Sequence, residues 1–167
     1  SLESEGMTFT VRTKRYAYPL FTTLLGEHQM ANAALAVAAA ELLSDRFRFP
    51  LTPEAVQVGI ARTAWPGRLQ ALPVHGRTVL VDAAHNPGGA AVLARALRRL
   101  GLKDLDLYFC AMRDKHPMSV LRPLLPFARE VHLLSIPKER STSPEEWRRL
   151  SRRLEHHRVT VHDDLEE

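Results

Sequence analysis

A single cysteine among 167 residues, Cys110, excludes an internal disulfide framework. A reducing cytosol is the natural setting, and Cys110 is expected as a small buried hydrophobe at a strand end rather than a nucleophile. No apolar run approaches the roughly 20 residues that cross a bilayer, so no membrane partner is expected. The opening Ser1-Leu2-Glu3-Ser4-Glu5 is polar and acidic, unlike a signal peptide. Aromatic residues are scarce, and almost none is interleaved with the arginine groups Arg95-Arg98-Arg99 and Arg148-Arg149-Arg152-Arg153. Those groups therefore read as solvated helix faces and not as a nucleic-acid surface. The net charge of +4 suits small polyanions instead, a nucleotide triphosphate or a polycarboxylate tail. No Cys/His spacing supports zinc and no metal site is expected: His156 and His157 are adjacent and read as pointing to different helix faces, and His132 reads as structural.

What is present is a change of pattern partway along. Met7 to Arg12 alternates apolar and polar residues and Tyr16 to Thr23 is again extended, which predicts a hairpin. His28 to Leu43 is alanine-rich with apolar residues spread around it, the pattern of a helix covered on most sides. Asp45 to Pro50 reads as a break, and Thr52-Pro53-Glu54 as the capped start of a second helix. Trp65-Pro66-Gly67 reads as a linker. Beyond it strands alternate with helices, predicting an α/β domain with a mostly parallel sheet. Leu69 to Val74 is demoted to an antiparallel edge strand by Pro73, and joins Thr78 to Val81, expected as a central strand. Further strands are expected at Leu105 to Ala111, Glu130 to Ser135 and Val159 to Val161. Helices are expected from Asn86-Pro87, with a stop at Gly101, from Pro117, and from the capping box Ser143 to Glu146.

Ligands in open α/β sheets sit outside the carboxyl ends of strands, where Asp82 to Pro87 and Met112 to His116 both fall. A rim carboxylate at Asp82 could accept two hydroxyl hydrogen bonds; a loop or capping aspartate is the plain alternative. His85 and Asn86 precede a helix whose amino end suits a phosphate or a carboxylate, while Asn86 also serves as an N-cap. Arg68 follows a proline-glycine hinge, so a closing movement could deliver its forked cation to a transferring phosphoryl group; a surface arginine is the commoner fate. His28, Gln29 and Asn32 lie one helical turn apart, and an amide such as that of Asn32 matches adenine at N6 and N7. A plain helix-terminal polar cluster would look the same.

Gly26-Glu27-His28-Gln29-Met30-Ala31-Asn32-Ala33, Trp65-Pro66-Gly67-Arg68 and Asp82-Ala83-Ala84-His85-Asn86-Pro87, in this order, resemble the Mur ligase superfamily and its folylpolyglutamate synthase and dihydrofolate synthase branch. Gln29 and Trp65 favour that branch over the peptidoglycan-precursor ligases, the nearest alternative; a stand-alone α/β binding module is another. The resemblance implies a Rossmann-like carboxy-terminal domain at 67–167, preceded at 1–66 by a helical and hairpin fragment of the central ATPase domain. It implies ATP and Mg2+, with adenine near His28, Gln29 and Asn32, the phosphates at Arg68 and the ribose at Asp82. Arg68 and His85 would act in catalysis, and His85, Asn86, Asp114 and Lys115 would meet substrate. Folate or dihydropteroate receives L-glutamate through an acyl phosphate in that family. Asp114-Lys115-His116 matches the family's Asp-Lys-Asp only in its first two residues, and Ala83 stands where glycine is frequent. No Gly-x-x-x-x-Gly-Lys-Ser/Thr phosphate loop occurs, so the resemblance implies a carboxy-terminal part, inactive alone and partnered by the missing amino-terminal domain.

Overall fold

The structure, a computed structural model, describes residues 6–163. The acidic Ser1 to Glu5 segment lies outside them. The chain divides into two compact units, one ending at Ala83 and the other beginning at Ala84.

In the first unit, β1 (Met7–Arg12) and β2 (Ala17–Thr22) form the expected antiparallel hairpin, with Val11 opposite Tyr18 and Phe9 opposite Leu20. Period-two alternation puts Tyr18, Leu20 and Thr22 on the buried face. Tyr18 and Leu20 pack with Val37 of α1 (His28–Phe47) and Val56 of α2 (Pro53–Ala61). Thr52 caps α2, its Oγ1 accepting the Ala55 N–H at 3.2 Å. Helix α1 departs from expectation in two ways. It continues through Asp45 and Arg46, and the stop falls on Arg48, which takes the left-handed conformation itself (φ 55°). It is also covered on one narrow face only, through Gln29, Ala33, Val37 and Ser44, while Leu35, Leu42 and Phe47 are about 70% exposed.

The hairpin of β3 (Gln70–Val74) and β4 (Arg77–Val81) completes this unit. Its turn residues His75 and Gly76 both have positive φ, as a mirror-image two-residue turn requires. Strand β4 is not central, contrary to expectation. Among the described residues it pairs with β3 alone, and Val79 and Val81 are exposed. An unbroken apolar run signals a strand that can be buried on both faces; it does not say which strands will flank it.

The second unit is a three-stranded sheet in the order β5 (Leu105–Phe109), β6 (Ala128–Leu133), β7 (Arg158–Val161), parallel throughout. Parallel neighbours need crossovers, and α4 (Pro117–Leu121) and α5 (Pro144–Ser151) supply them. Helix α3 (Pro87–Arg99) begins at its Asn86 cap and ends as expected. The Gly101 N–H bonds to the Arg98 carbonyl and the Leu102 N–H to that of Leu97, with Gly101 at φ 66°. Trp147 on α5 is fully buried against Phe109, and its indole N–H donates to the Leu134 carbonyl at 3.0 Å. Around it lie Leu121, Val131 and Leu133. Cys110 is exposed, correcting the expectation of burial, because exposure alternates there: Phe109 is buried, while Tyr108 before it and Cys110 after it are exposed. His156 and His157 lie beyond the end of α5, so they do not occupy two helix faces. Among the described residues, no helix is long and apolar enough to cross a membrane.

Candidate functional site

A cleft of about 540 Å³ opens in the first unit at the amino end of α1. His28, Gln29 and Asn32 line it from the helix, Trp65 and Arg68 from the segment after α2, and Leu24 and Ile60 add apolar wall. Gly26 makes the helix start possible. Its φ of 101° strains any L-residue, and a Cβ there would come within 2.6 Å of the His28 ring. Buried Gln29 accepts a hydrogen bond from Asn32 Nδ2 through Oε1 at 2.9 Å. That bond orients the Asn32 amide and leaves it one further donor and its own acceptor for a ligand.

Arg68 is placed by its neighbours' main chain. Gly67 has φ 73° and donates its N–H to Gln70 Oε1 at 3.0 Å. Leu69, buried, has φ 45°, an uncommon conformation for a branched apolar residue. Asp82 at the end of β4 accepts the Leu69 N–H through Oδ2 at 2.8 Å and is not among the residues lining the cleft.

In the second unit, Asn86 Oδ1 accepts the Gly89 N–H at 2.8 Å as an N-cap, and His85 is exposed in the loop before it. Asp114 and Lys115 sit in a single 3-10 turn, Arg113–Lys115, after β5. Asp114 accepts from Arg140 at 2.6 Å and has Lys115 Nζ at 3.8 Å. Desolvation raises the Asp114 pKa, but the Arg140 hydrogen bond and the nearby positive charges outweigh it and hold the carboxyl below its ordinary value. Arg113 fixes this turn to the loop before α5, donating from its backbone N–H to Arg140 O and from its guanidinium to Glu139 O. Thr142 adds two bonds to the Ala111 carbonyl. Sequence reasoning missed the Arg140 partnership, which spans 26 residues and has no local signal. It also missed the part of Trp65 in the cleft wall, having read that residue only as motif and linker.

A parallel sheet with helical crossovers and polar loops at its strand ends defines an α/β domain of the Rossmann-like kind. The family described as "Mur ligase, glutamate ligase domain" matches residues 67–167, and the chain belongs to the Mur ligase family. Within it, the similarity is to folate-branch proteins. The chain is 33% identical over 132 residues to the dihydrofolate synthase/folylpolyglutamate synthase of Bacillus subtilis, covering 78% of this chain and 30% of that protein. It is 42% identical over 107 residues to the corresponding Mycobacterium tuberculosis protein, covering 56% and 22%. A solved structure of Mycobacterium tuberculosis folylpolyglutamate synthase complexed with ADP and AMPPCP superposes with a TM-score of 0.75 at 30% identity, over 90% of this chain and 34% of that one. The chain thus spans about a third of the length of such relatives and matches their carboxy-terminal part.

Proposed function

We propose that this chain is the carboxy-terminal part of a cytoplasmic, ADP-forming ligase that adds L-glutamate to folate or dihydropteroate through an acyl phosphate. The observation that carries the reading is the gathering of His28, Gln29, Asn32 and Arg68 around one cleft. In this reading the Asn32 amide meets adenine N6 and N7, Arg68 meets the phosphates, and Asp82 meets the ribose. His85, Asn86, Asp114 and Lys115 serve substrate carboxylates or the phosphoryl group, with His85 taking part in catalysis.

Residues 67–167 act as the Mur ligase carboxy-terminal domain and 1–66 as a fragment of the central ATPase domain, a division supported by the family match beginning at residue 67. The exposed Leu35, Leu42 and Phe47 of α1 support packing of that fragment against further ligase sequence. Among the described residues no group of three or more His, Cys, Asp and Glu could hold a metal ion; in this reading the ligands for Mg2+ lie mostly outside this chain.

Two measurements test the reading. The purified chain should bind ATP weakly and hydrolyse none above background, because the phosphate loop supplies most of the grip on a triphosphate. The chain together with the rest of the ligase should release ADP when given a folate or dihydropteroate acceptor and glutamate. ADP release with a nucleotide-linked muramyl acceptor instead would reassign the substrate.

A further inference from the structure

One face of the β5–β6–β7 sheet packs on the helices of the second unit through Phe109, Val131 and Leu133. Strand alternation turns Tyr108, His132 and Thr160, which pair in register, to the opposite face as one row. His162, two residues past Thr160, falls on that face too. Its N–H donates to the Leu133 carbonyl at 3.0 Å and so continues the ladder beyond the end of β7. There two imidazoles meet, His132 Nδ1 lying 3.0 Å from His162 Nε2. The Tyr108 ring stacks on that of His132, with centroids 4.4 Å apart and planes 11° from parallel, which holds the imidazole in orientation. Tyr108 is exposed and both histidines are half-buried, so water reaches the pair. The two histidines stand 30 residues apart in the chain, far beyond the short spacings by which a metal site is read from sequence.

We propose that His132 and His162 chelate a divalent transition-metal ion of tetragonal or octahedral preference, Ni2+ or Cu2+, at a site that does not depend on the ligase reading. With metal–imidazole bonds of roughly 2.1 Å, donors 3.0 Å apart subtend about 90° at the ion. That is the cis angle of a square-planar or octahedral ion, and it is narrower than a tetrahedral zinc site requires. Without metal, one ring N–H donates to the bare nitrogen of the other ring. A neutral imidazole carries its single proton on either nitrogen, so the donor ring moves that proton to its far nitrogen and presents the second lone pair. Two imidazoles leave the remaining positions to water, a smaller set than the groups of three or more ligands that the described residues lack. The charged residues of the same face, Asp106, Glu130 and Arg158, form the neighbouring row, and Asp106 is paired with Arg129. Their charges cancel and set no net positive field against a cation. A bound ion would clip β6 to the chain leaving β7, the shortest strand of the sheet.

The test uses the whole 167-residue chain, free of any histidine tag, and Ni2+ as the probe, because Cu2+ would oxidise the exposed Cys110 thiol. Calorimetric titration should show one chelating equivalent that a metal chelator reverses, and the thermal midpoint should rise with Ni2+ concentration. His132→Ala and His162→Ala should each lower the affinity by roughly tenfold or more, since the second imidazole then no longer acts at a high effective concentration. A double variant of the adjacent His156 and His157, both to alanine, should leave that equivalent in place. A measurement on the native chain guards against variants that fail to fold: paramagnetic Ni2+ should broaden the ring resonances of His132 and His162 at lower concentration than those of His156 and His157. Absence of a chelating equivalent, its loss in the His156 and His157 variant, or broadening that begins at other histidines would overturn the proposal.

Discussion

The Asp82 carboxylate accepts the backbone N–H of Leu69, so the end of β4 is tied directly to the residue after Arg68. The bond supports a left-handed residue whose N–H is partly withdrawn from water. Asp82→Ala should destabilise the first unit by about 1–2 kcal/mol, the cost of a stranded donor, read as a lower urea midpoint. Asp82→Asn keeps an acceptor and should recover most of that stability. In the complete ligase it should still bind ATP more weakly, since an amide cannot accept two ribose hydroxyls as a carboxylate does. Equal nucleotide affinity in Asp82→Asn would remove the ribose role from this residue.

Arg68 lines the cleft of the first unit, and if that cleft holds ATP as proposed its contact should strengthen as charge develops on the transferring phosphoryl group. Arg68→Ala should then lower turnover of the complete ligase more than it weakens ATP binding, by roughly 2–4 kcal/mol of barrier. Arg68→Lys should fall between the two, because a point charge on a flexible stem cannot reproduce a bidentate fork. Steady-state kinetics on both variants decide it, and unchanged turnover in Arg68→Ala would make it a surface arginine.

Tyr18 titrates abnormally. Burial, and then its hydrogen bond to Glu41 Oε1 at 2.8 Å, push the phenol from 10.0 up to about 12. The folded state therefore binds this proton more tightly than the unfolded chain. The stability it contributes is fully present below pH 10 and is lost as pH rises towards 12. Urea midpoints followed across that window should fall in the native sequence and fall less steeply in Tyr18→Phe.

Trp147 fills the centre of the second unit and also satisfies the Leu134 carbonyl. Trp147→Ala should cost roughly 3–5 kcal/mol and leave the β5–β7 sheet poorly protected in hydrogen exchange. Trp147→Phe keeps most of the ring and should cost less, the remainder including the lost indole bond. An unmoved melting transition in Trp147→Ala would show that this core is held from elsewhere.

Local chemistry was legible in the sequence, and long-range pairing was not. Thr52, Asn86 and Ser143 each announce a helix start because a short acceptor before proline meets the orphan N–H groups of the first turn, and all three do so in the structure. That His28, Gln29 and Asn32 share one face was legible from their spacing along one helical turn, and all three line the same cleft. Position relative to other strands was harder. Thr78 to Val81 carries the apolar run of a central strand, yet nothing in that run specifies a second hydrogen-bonding neighbour. Arg148, Arg149, Arg152 and Arg153 are exposed, as the lack of interleaved aromatics led one to expect of a solvated face. Cys110 loses its expected burial because it follows the buried Phe109 and so falls at an exposed alternate position.

Two left-handed residues, Gly67 and Leu69, flank Arg68. What aims this guanidinium is therefore the path of the peptide backbone, and the side chain at 68 is free to be exchanged without disturbing the frame that presents it. That makes the position suited to chemical replacement: citrulline, isosteric with arginine but uncharged, could be installed there by semisynthesis. Shape and charge could then be varied one at a time on an unaltered scaffold.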